Sequence, residues 1–247
     1  MLQGGSIFAR VWGAPNAHTV FCWHGAGGSS ADFGTIGPDL ADRLGARVVA
    51  LDAPGHSRSS SRPAEAFRPS ALATPAVEIL DELDAKKFVF LGFSWGATIG
   101  CWVAARCPER TLGLVLVEGG HMDFADLPGF RTDRTLDELT SDAEAAAIRE
   151  GDAFGSHTPD VAGAMIHGLC REPATATYQR IAAARTPTLF VGARQDEHSG
   201  PVERLSRLVP QAEIVQLASP SHELLQDAPT EVARVVGDWL VDLEFAD

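Results

Sequence analysis

Short, dense apolar runs alternate along this chain with longer stretches in which apolar positions recur every three or four residues. The short runs predict strands at 7–12, 19–23, 47–51, 88–92, 112–117, 188–191 and 213–217. Val89, Phe90 and Leu91 are apolar in succession, as a strand covered on both faces requires. The longer stretches predict helices at about 30–44, 71–83, 95–106, 202–208 and 230–243. The last has the clearest stripe, formed by Val232, Val235, Val236, Trp239, Leu240 and Leu243, with Asp227 and Pro229 ahead of it as start signals. Strands alternating with helices imply a mostly parallel sheet with helices on both faces, and the short spacing of the first two strands allows an antiparallel edge. The alternation breaks between Gly119 and Arg185, where no strand pattern appears and helical runs fall near 136–149 and 160–169. That stretch predicts a helical cap inserted over one end of the sheet, not an independent domain.

At the end of the fourth apolar run the sequence reads Gly92-Phe93-Ser94-Trp95-Gly96, and a helical pattern begins at once. Two glycines around a serine at a strand-to-helix turn remove the side chains that would collide there, which leaves the hydroxyl exposed at the carboxyl end of a strand. The dipole of the following helix points at any negative charge that forms beside Ser94. A serine hydroxyl is a poor nucleophile alone; it needs a base, and the base needs an orienting acid. Both follow in the chain. The strand at 188–191 runs into a loop carrying Asp196, and the strand at 213–217 runs into a loop carrying His222. Catalytic groups in open α/β sheets gather at the carboxyl ends of strands, so three strands deliver Ser94, Asp196 and His222 to one edge.

Acyl transfer also needs donors for an oxyanion. After the strand at 19–23, His24-Gly25-Ala26 turns the chain so that the Ala26 amide can face Ser94, and the Trp95 amide supplies a second donor. The same loop, with Gly25, Gly27 and Ser30, partly matches a dinucleotide-binding turn, with Asp52 as its acidic partner. That alternative leaves Ser94, Asp196 and His222 unexplained.

Composition narrows the field. A chain of 247 residues that is 45% hydrophobic can bury one sizeable core as a single α/β domain. No run of 18 uncharged apolar residues is present, so no membrane span is expected. The first fifteen residues lack a basic start followed by an apolar core and do not read as a signal peptide. Cys22, Cys101, Cys107 and Cys170 form no CxxC pair and read as small hydrophobes, which points to a reducing, cytoplasmic setting. A net charge of −13 sets nucleic acid aside as a partner.

Together these segments resemble the α/β-hydrolase family over nearly the whole chain. "HGAGGSSADF" resembles its oxyanion loop, "ALDAPGHSRSS" its D-x-P-G-x-G-x-S loop with His56 and Arg58 standing in this sequence, "GFSWGA" its nucleophile elbow, "GARQDEHS" its acid loop and "SHELLQDAP" its histidine loop. The resemblance implies a doubly wound, mostly parallel sheet of about eight strands, with core at 1–118 and 186–247 and a helical cap at 119–185. It implies Ser94 as nucleophile, His222 as general base, Asp196 as orienting acid, and Ala26 and Trp95 as oxyanion donors, with Asp52 holding its loop. Glu118, at the end of the fifth strand, is the second place where the acid can sit in this fold. A serine at 94 argues against the epoxide-hydrolase and dehalogenase branches, which use an aspartate there.

The function expected is a serine hydrolase that cleaves a small to medium ester, thioester or lactone. Alternatives are a carbon–carbon bond hydrolase or cofactor-free haloperoxidase or perhydrolase on the same triad, or a non-catalytic ligand-binding receptor. No cofactor or metal is expected, and the partner is a small-molecule substrate bound by a monomer or homodimer. Candidate pocket residues are His24, Phe33, Met122, Phe124 and Met165, with Trp23, Phe93, Trp95 and Phe130 as further aromatic candidates; Arg131, His24 and His121 are candidates for receiving a polar group. His121, His157 and His167 otherwise read as cap or surface residues.

Overall fold

A computed structural model describes residues 5–15, 17–121, 123, 131–194, 202–219 and 221–243. Seven strands are found among them: β1 (Ala9–Trp12), β2 (Thr19–Trp23), β3 (Arg47–Leu51), β4 (Phe88–Phe93), β5 (Thr111–Val117), β6 (Thr188–Ala193) and β7 (Ala212–Leu217). They form one sheet in the order β1-β3-β2-β4-β5-β6-β7. The pairs from β3 to β7 are parallel, and β1 runs antiparallel to β3. The antiparallel edge therefore exists, but β1 pairs with β3 and not with its chain neighbour β2. Both edges of β2 are occupied by β3 and β4, which leaves the outer edge of β3 for the short first strand.

Every parallel pair needs a crossover, and helices supply it. They are α1 (Ile36–Leu44), α2 (Pro69–Glu82), α3 (Trp95–Arg106), α4 (Leu136–Glu150), α5 (Pro159–Arg171), α6 (Tyr178–Ala183), α7 (Glu203–Leu208), α8 (Leu224–Asp227) and α9 (Pro229–Asp242). The helix expected at 30–44 is divided. Ser29 and Asp32 form a capping box that starts a single 3-10 turn at Ser30–Phe33, and α1 begins only after Gly34 and Thr35. Among the described residues no helix is long and apolar enough to cross a membrane.

The central strands are buried at every position because each face carries its own apolar layer. Phe21, Phe90, Leu114 and Phe190 point to one side and pack with Leu72, Ala76, Ile99 and Val103 of α2 and α3. Their neighbours Val20, Val89, Val115 and Leu189 point to the other and pack with Leu40 of α1 and Val232, Val236 and Leu240 of α9. This is the two-residue period of a pleated strand read against two helical layers. The stripe of α9 faces the sheet, and Trp239 adds a hydrogen bond from its indole to Glu213 Oε1 at 2.8 Å.

Between β5 and β6 the described residues hold α4, α5 and α6 and no strand. α4 packs on α5, and α5 buries Val161, Ala164, Met165 and Leu169 in the same apolar cluster as Phe67 and Leu72. Before α5 the chain is fastened to two sheet loops. Ser156 donates its N–H to the Gly27 carbonyl at 2.8 Å and its hydroxyl to the Gly28 carbonyl, while Ser57 N–H donates to the Ser156 carbonyl at 2.7 Å. His56 and His157 face each other across an isolated antiparallel bridge.

Candidate active site

Ser94 follows β4 and caps α3 with φ 51° and ψ −114°, a conformation that costs a non-glycine residue about 1–3 kcal/mol. The surrounding structure holds it there. Ser94 N–H donates to the Val117 carbonyl at 2.8 Å, and the Ala97 N–H returns to the Ser94 carbonyl at 3.0 Å. A Cβ on Gly96 would be driven into the Trp23 carbonyl oxygen, so only glycine lets α3 seat against the end of β2. Gly119 plays a matching part from the neighbouring strand: a Cβ there would enter the Ser94 carbonyl.

His222, from the loop between β7 and α8, brings Nε2 to 2.9 Å from Ser94 Oγ. The Phe93 ring lies against the imidazole, with centroids 5.6 Å apart. If Nε2 is to take the hydroxyl proton, Nδ1 must carry the ring's own proton, and a carboxylate stands on that side. Glu118 Oε2 is 3.6 Å from Nδ1, and Glu118 Oε1 accepts the Ala193 N–H. Glu118 is buried and, like Ser94, has a positive φ, of 49°. Asp196, expected from the sequence as the orienting acid, lies outside the described residues.

The loop after β2 lies on the other side of the serine. A Cβ on Gly25 would stand 3.3 Å from Ser94 Cβ, which places His24-Gly25-Ala26 directly beside the serine. Among the described residues neither the Ala26 nor the Trp95 N–H donates a hydrogen bond, and both residues line the cavity that opens on Ser94. Asp52, the acidic partner that the dinucleotide-binding alternative requires, is fully buried. It accepts from Ser30 N–H at 2.8 Å and Arg58 N–H at 3.2 Å, so it ties two loops together.

His24 is also structural. Its Nε2 accepts the Ala53 N–H at 2.9 Å, so Nδ1 is the protonated nitrogen and donates to the Gly25 carbonyl at 2.7 Å. Burial pushes its pKa down to about 4. Beside it runs a column of rings. Phe154 stacks on His157 at 4.9 Å, His157 on His56 at 5.1 Å, and His56 on Trp95 at 5.4 Å. His56 donates Nδ1–H to the Pro54 carbonyl at 3.1 Å, and its buried Nε2 has no partner among the described residues. Burial, then the neighbouring His24, lowers the His56 pKa to about 3.

The cavity holds about 490 Å³. Its floor is Ser94, Trp95, Thr98 and Gly119; Met165, Ile166 and Leu169 of α5 form one wall; His121, Asp123, Glu118, His222 and Glu223 complete it. Met165 is thus where the sequence pointed. His24 and Phe33 are not: both are completely buried away from the cavity, His24 by its two backbone hydrogen bonds and Phe33 in the layer under α1. Arg131 is exposed and paired with Asp133. His121 is buried in the cavity wall against Phe190, and His157 is half-buried in the ring column, so neither is a plain surface residue. Met122, Phe124 and Phe130 lie outside the described residues. Thr98, Ile166, Leu169 and Gly119 were missed; the helical spacing of 165, 166 and 169 on one α5 face is the signal that could have found three wall residues.

A family model described as the alpha/beta hydrolase fold matches residues 18–147, and the chain belongs to that family. A serine hydrolase-like protein of Danio rerio is 32% identical over 115 residues, 46% of this chain and 35% of that protein. The chain therefore spans about a third of that relative's length. A 2-hydroxymuconate semialdehyde hydrolase of Pseudomonas sp. (strain CF600) is 27% identical over 244 residues, 87% of this chain and 83% of that one. Among solved structures, a thermophilic esterase from Thermogutta terrifontis with malate bound superposes with a TM-score of 0.80 at 20% identity, covering 98% of this chain and 96% of the other. At that identity the likeness speaks for the fold.

Proposed function

We propose that this protein is a serine hydrolase that cleaves a small to medium carboxylic ester, thioester or lactone through an acyl-enzyme on Ser94. The observation that carries the reading is the 2.9 Å approach of His222 Nε2 to Ser94 Oγ on the floor of a partly enclosed cavity. His222 takes the hydroxyl proton as Oγ attacks the carbonyl carbon. The Ala26 and Trp95 amides receive the oxyanion, a contribution of about 10²–10³ in rate per donor. The imidazolium then protonates the leaving group, and water, deprotonated by the same ring, releases the acid. We assign Asp196 as the acid that orients Nδ1. Glu118, at 3.6 Å, is beyond direct hydrogen-bond reach and acts on the ring through its charge. Residues 119–185 serve as the cap that shapes the acyl pocket over the core formed by 1–118 and 186–247.

A fluorophosphonate probe tests the reading. Wild type labels and Ser94→Ala does not, and p-nitrophenyl esters of rising chain length are hydrolysed by wild type alone. A folded wild type that neither labels nor hydrolyses refutes it. The likeness to the semialdehyde hydrolase, extended over most of both chains, supports a second reading, carbon–carbon bond hydrolysis on the same residues. Turnover of a vinylogous 1,5-diketone in the absence of any ester turnover would decide for it.

A further inference from the structure

We infer that the cavity is built against carboxylate-bearing acyl groups and takes neutral or cationic ones. This inference rests on the serine-hydrolase reading above. Its basis is the charge lining the cavity. Among the described residues the carboxylates of Glu118, Asp123 and Glu223 face it, and no lysine or arginine does. All 20 lysines and arginines of the chain lie among the described residues. The Arg204 guanidinium is paired with Asp123 of the wall, Nη2 to Oδ2 at 3.4 Å, so its charge is already matched. Asp123 is held in turn by the Thr175 hydroxyl at 2.5 Å.

The inner wall offers nothing to replace a cation. Met165, Ile166 and Leu169 present apolar surface. A carboxylate carried into this space loses its hydration, meets no positive partner and stands among like charges, and each of these is costly in a partly enclosed site. The chain's net charge of −13 acts in the same direction on encounter. An acyl chain ending in methyl meets none of these penalties. One ending in ammonium gains from Glu223, while Asp123 acts by holding the charge of Arg204 matched.

The test uses three p-nitrophenyl esters of equal acyl length: hexanoate, hydrogen adipate and 6-aminohexanoate. Fluorophosphonates with the same three tails serve as a second readout, through their rates of labelling Ser94. The neutral ester is expected to exceed the adipate at least 100-fold in kcat/KM and in labelling rate, with the ammonium ester within tenfold of the neutral one. Asp123→Asn, which unmasks Arg204, and Glu223→Gln should each narrow the neutral-to-adipate ratio by about tenfold. Equal rates for hexanoate and adipate, or a ratio unmoved in both variants, overturn the inference while leaving the hydrolase reading standing. Absence of labelling by all three probes overturns both.

Discussion

Replacing His56 with phenylalanine tests whether the buried ring column makes the protein acid-sensitive. The charged and titratable groups facing His56 are His24, His157 and Asp52, and burial is the largest influence on it. Its pKa falls from 6.5 to about 3, and that of His24 to about 4. Both are therefore neutral in the fold at pH values where the unfolded chain protonates them. Stability from a depressed histidine is complete above about pH 6.5 and is lost as pH falls toward the folded value. At pH 5 the unfolded state gains RT ln(1 + 10^1.5), about 2 kcal/mol, from each ring, so the two together cost about 4 kcal/mol relative to pH 8. That is a large share of the roughly 5–15 kcal/mol that holds a typical domain folded. Phenylalanine keeps the stack between Trp95 and His157 and has no proton to bind. The hydrogen bond to the Pro54 carbonyl is lost at both pH values and cancels in the difference. The assay is urea unfolding followed by fluorescence of the five tryptophans at pH 8 and pH 5. With a slope of about 3 kcal/mol/M, the wild-type midpoint should fall by about 1.3 M from these two rings and the variant's by about 0.7 M less than wild type's own fall. Carboxylate titrations affect both proteins alike. An identical fall in wild type and His56→Phe refutes the argument.

Three further outcomes are expected. Asp196→Asn lowers kcat/KM by several powers of ten, whereas Glu118→Gln, which removes a carboxylate 3.6 Å from the imidazole, lowers it about tenfold; a larger loss in Glu118→Gln than in Asp196→Asn would reverse the two roles. Gly119→Ala pushes a methyl into the Ser94 carbonyl, so activity falls at least 100-fold and thermal unfolding moves down by several degrees, for a strain of about 1–3 kcal/mol. Met165→Ala opens the α5 wall and shifts the preferred p-nitrophenyl ester toward longer acyl chains, read directly from kcat/KM across the series.

The strands were legible because each central one is a closed apolar run, and the sheet's two faces reproduce the alternation of Val89 with Phe90. Ser94 and His222 were legible because strand ends in such sheets converge on one edge, whatever the loops between them do. The pocket was less so. Residue type alone cannot tell which way a side chain faces, and His24 and Phe33 face inward to structural tasks. The ring column was not legible at all. His56 and His157 are far apart in the chain, and the fastening of Ser156 to Ser57, Gly27 and Gly28 brings them into register. The split of 30–44 into a turn and α1 was written in Ser29, Asp32 and Gly34, and an unbroken helical period obscured it.

That fastening divides the work of the segment between β5 and β6. The stretch at Ser156 is clamped to the glycines next to Ala26, so a rigid swing of the whole segment would drag the amide proposed to receive the developing charge. Drift in sequence at the clamp is felt as lost turnover. On the proposed chemistry, drift on the α5 face at Met165, Ile166 and Leu169 reshapes the cavity wall and is felt as altered choice of acyl chain. A lineage of such proteins is thus free to retune what it accepts on one turn of α5 while the loop at Ser156 holds the glycines beside Ser94 in place.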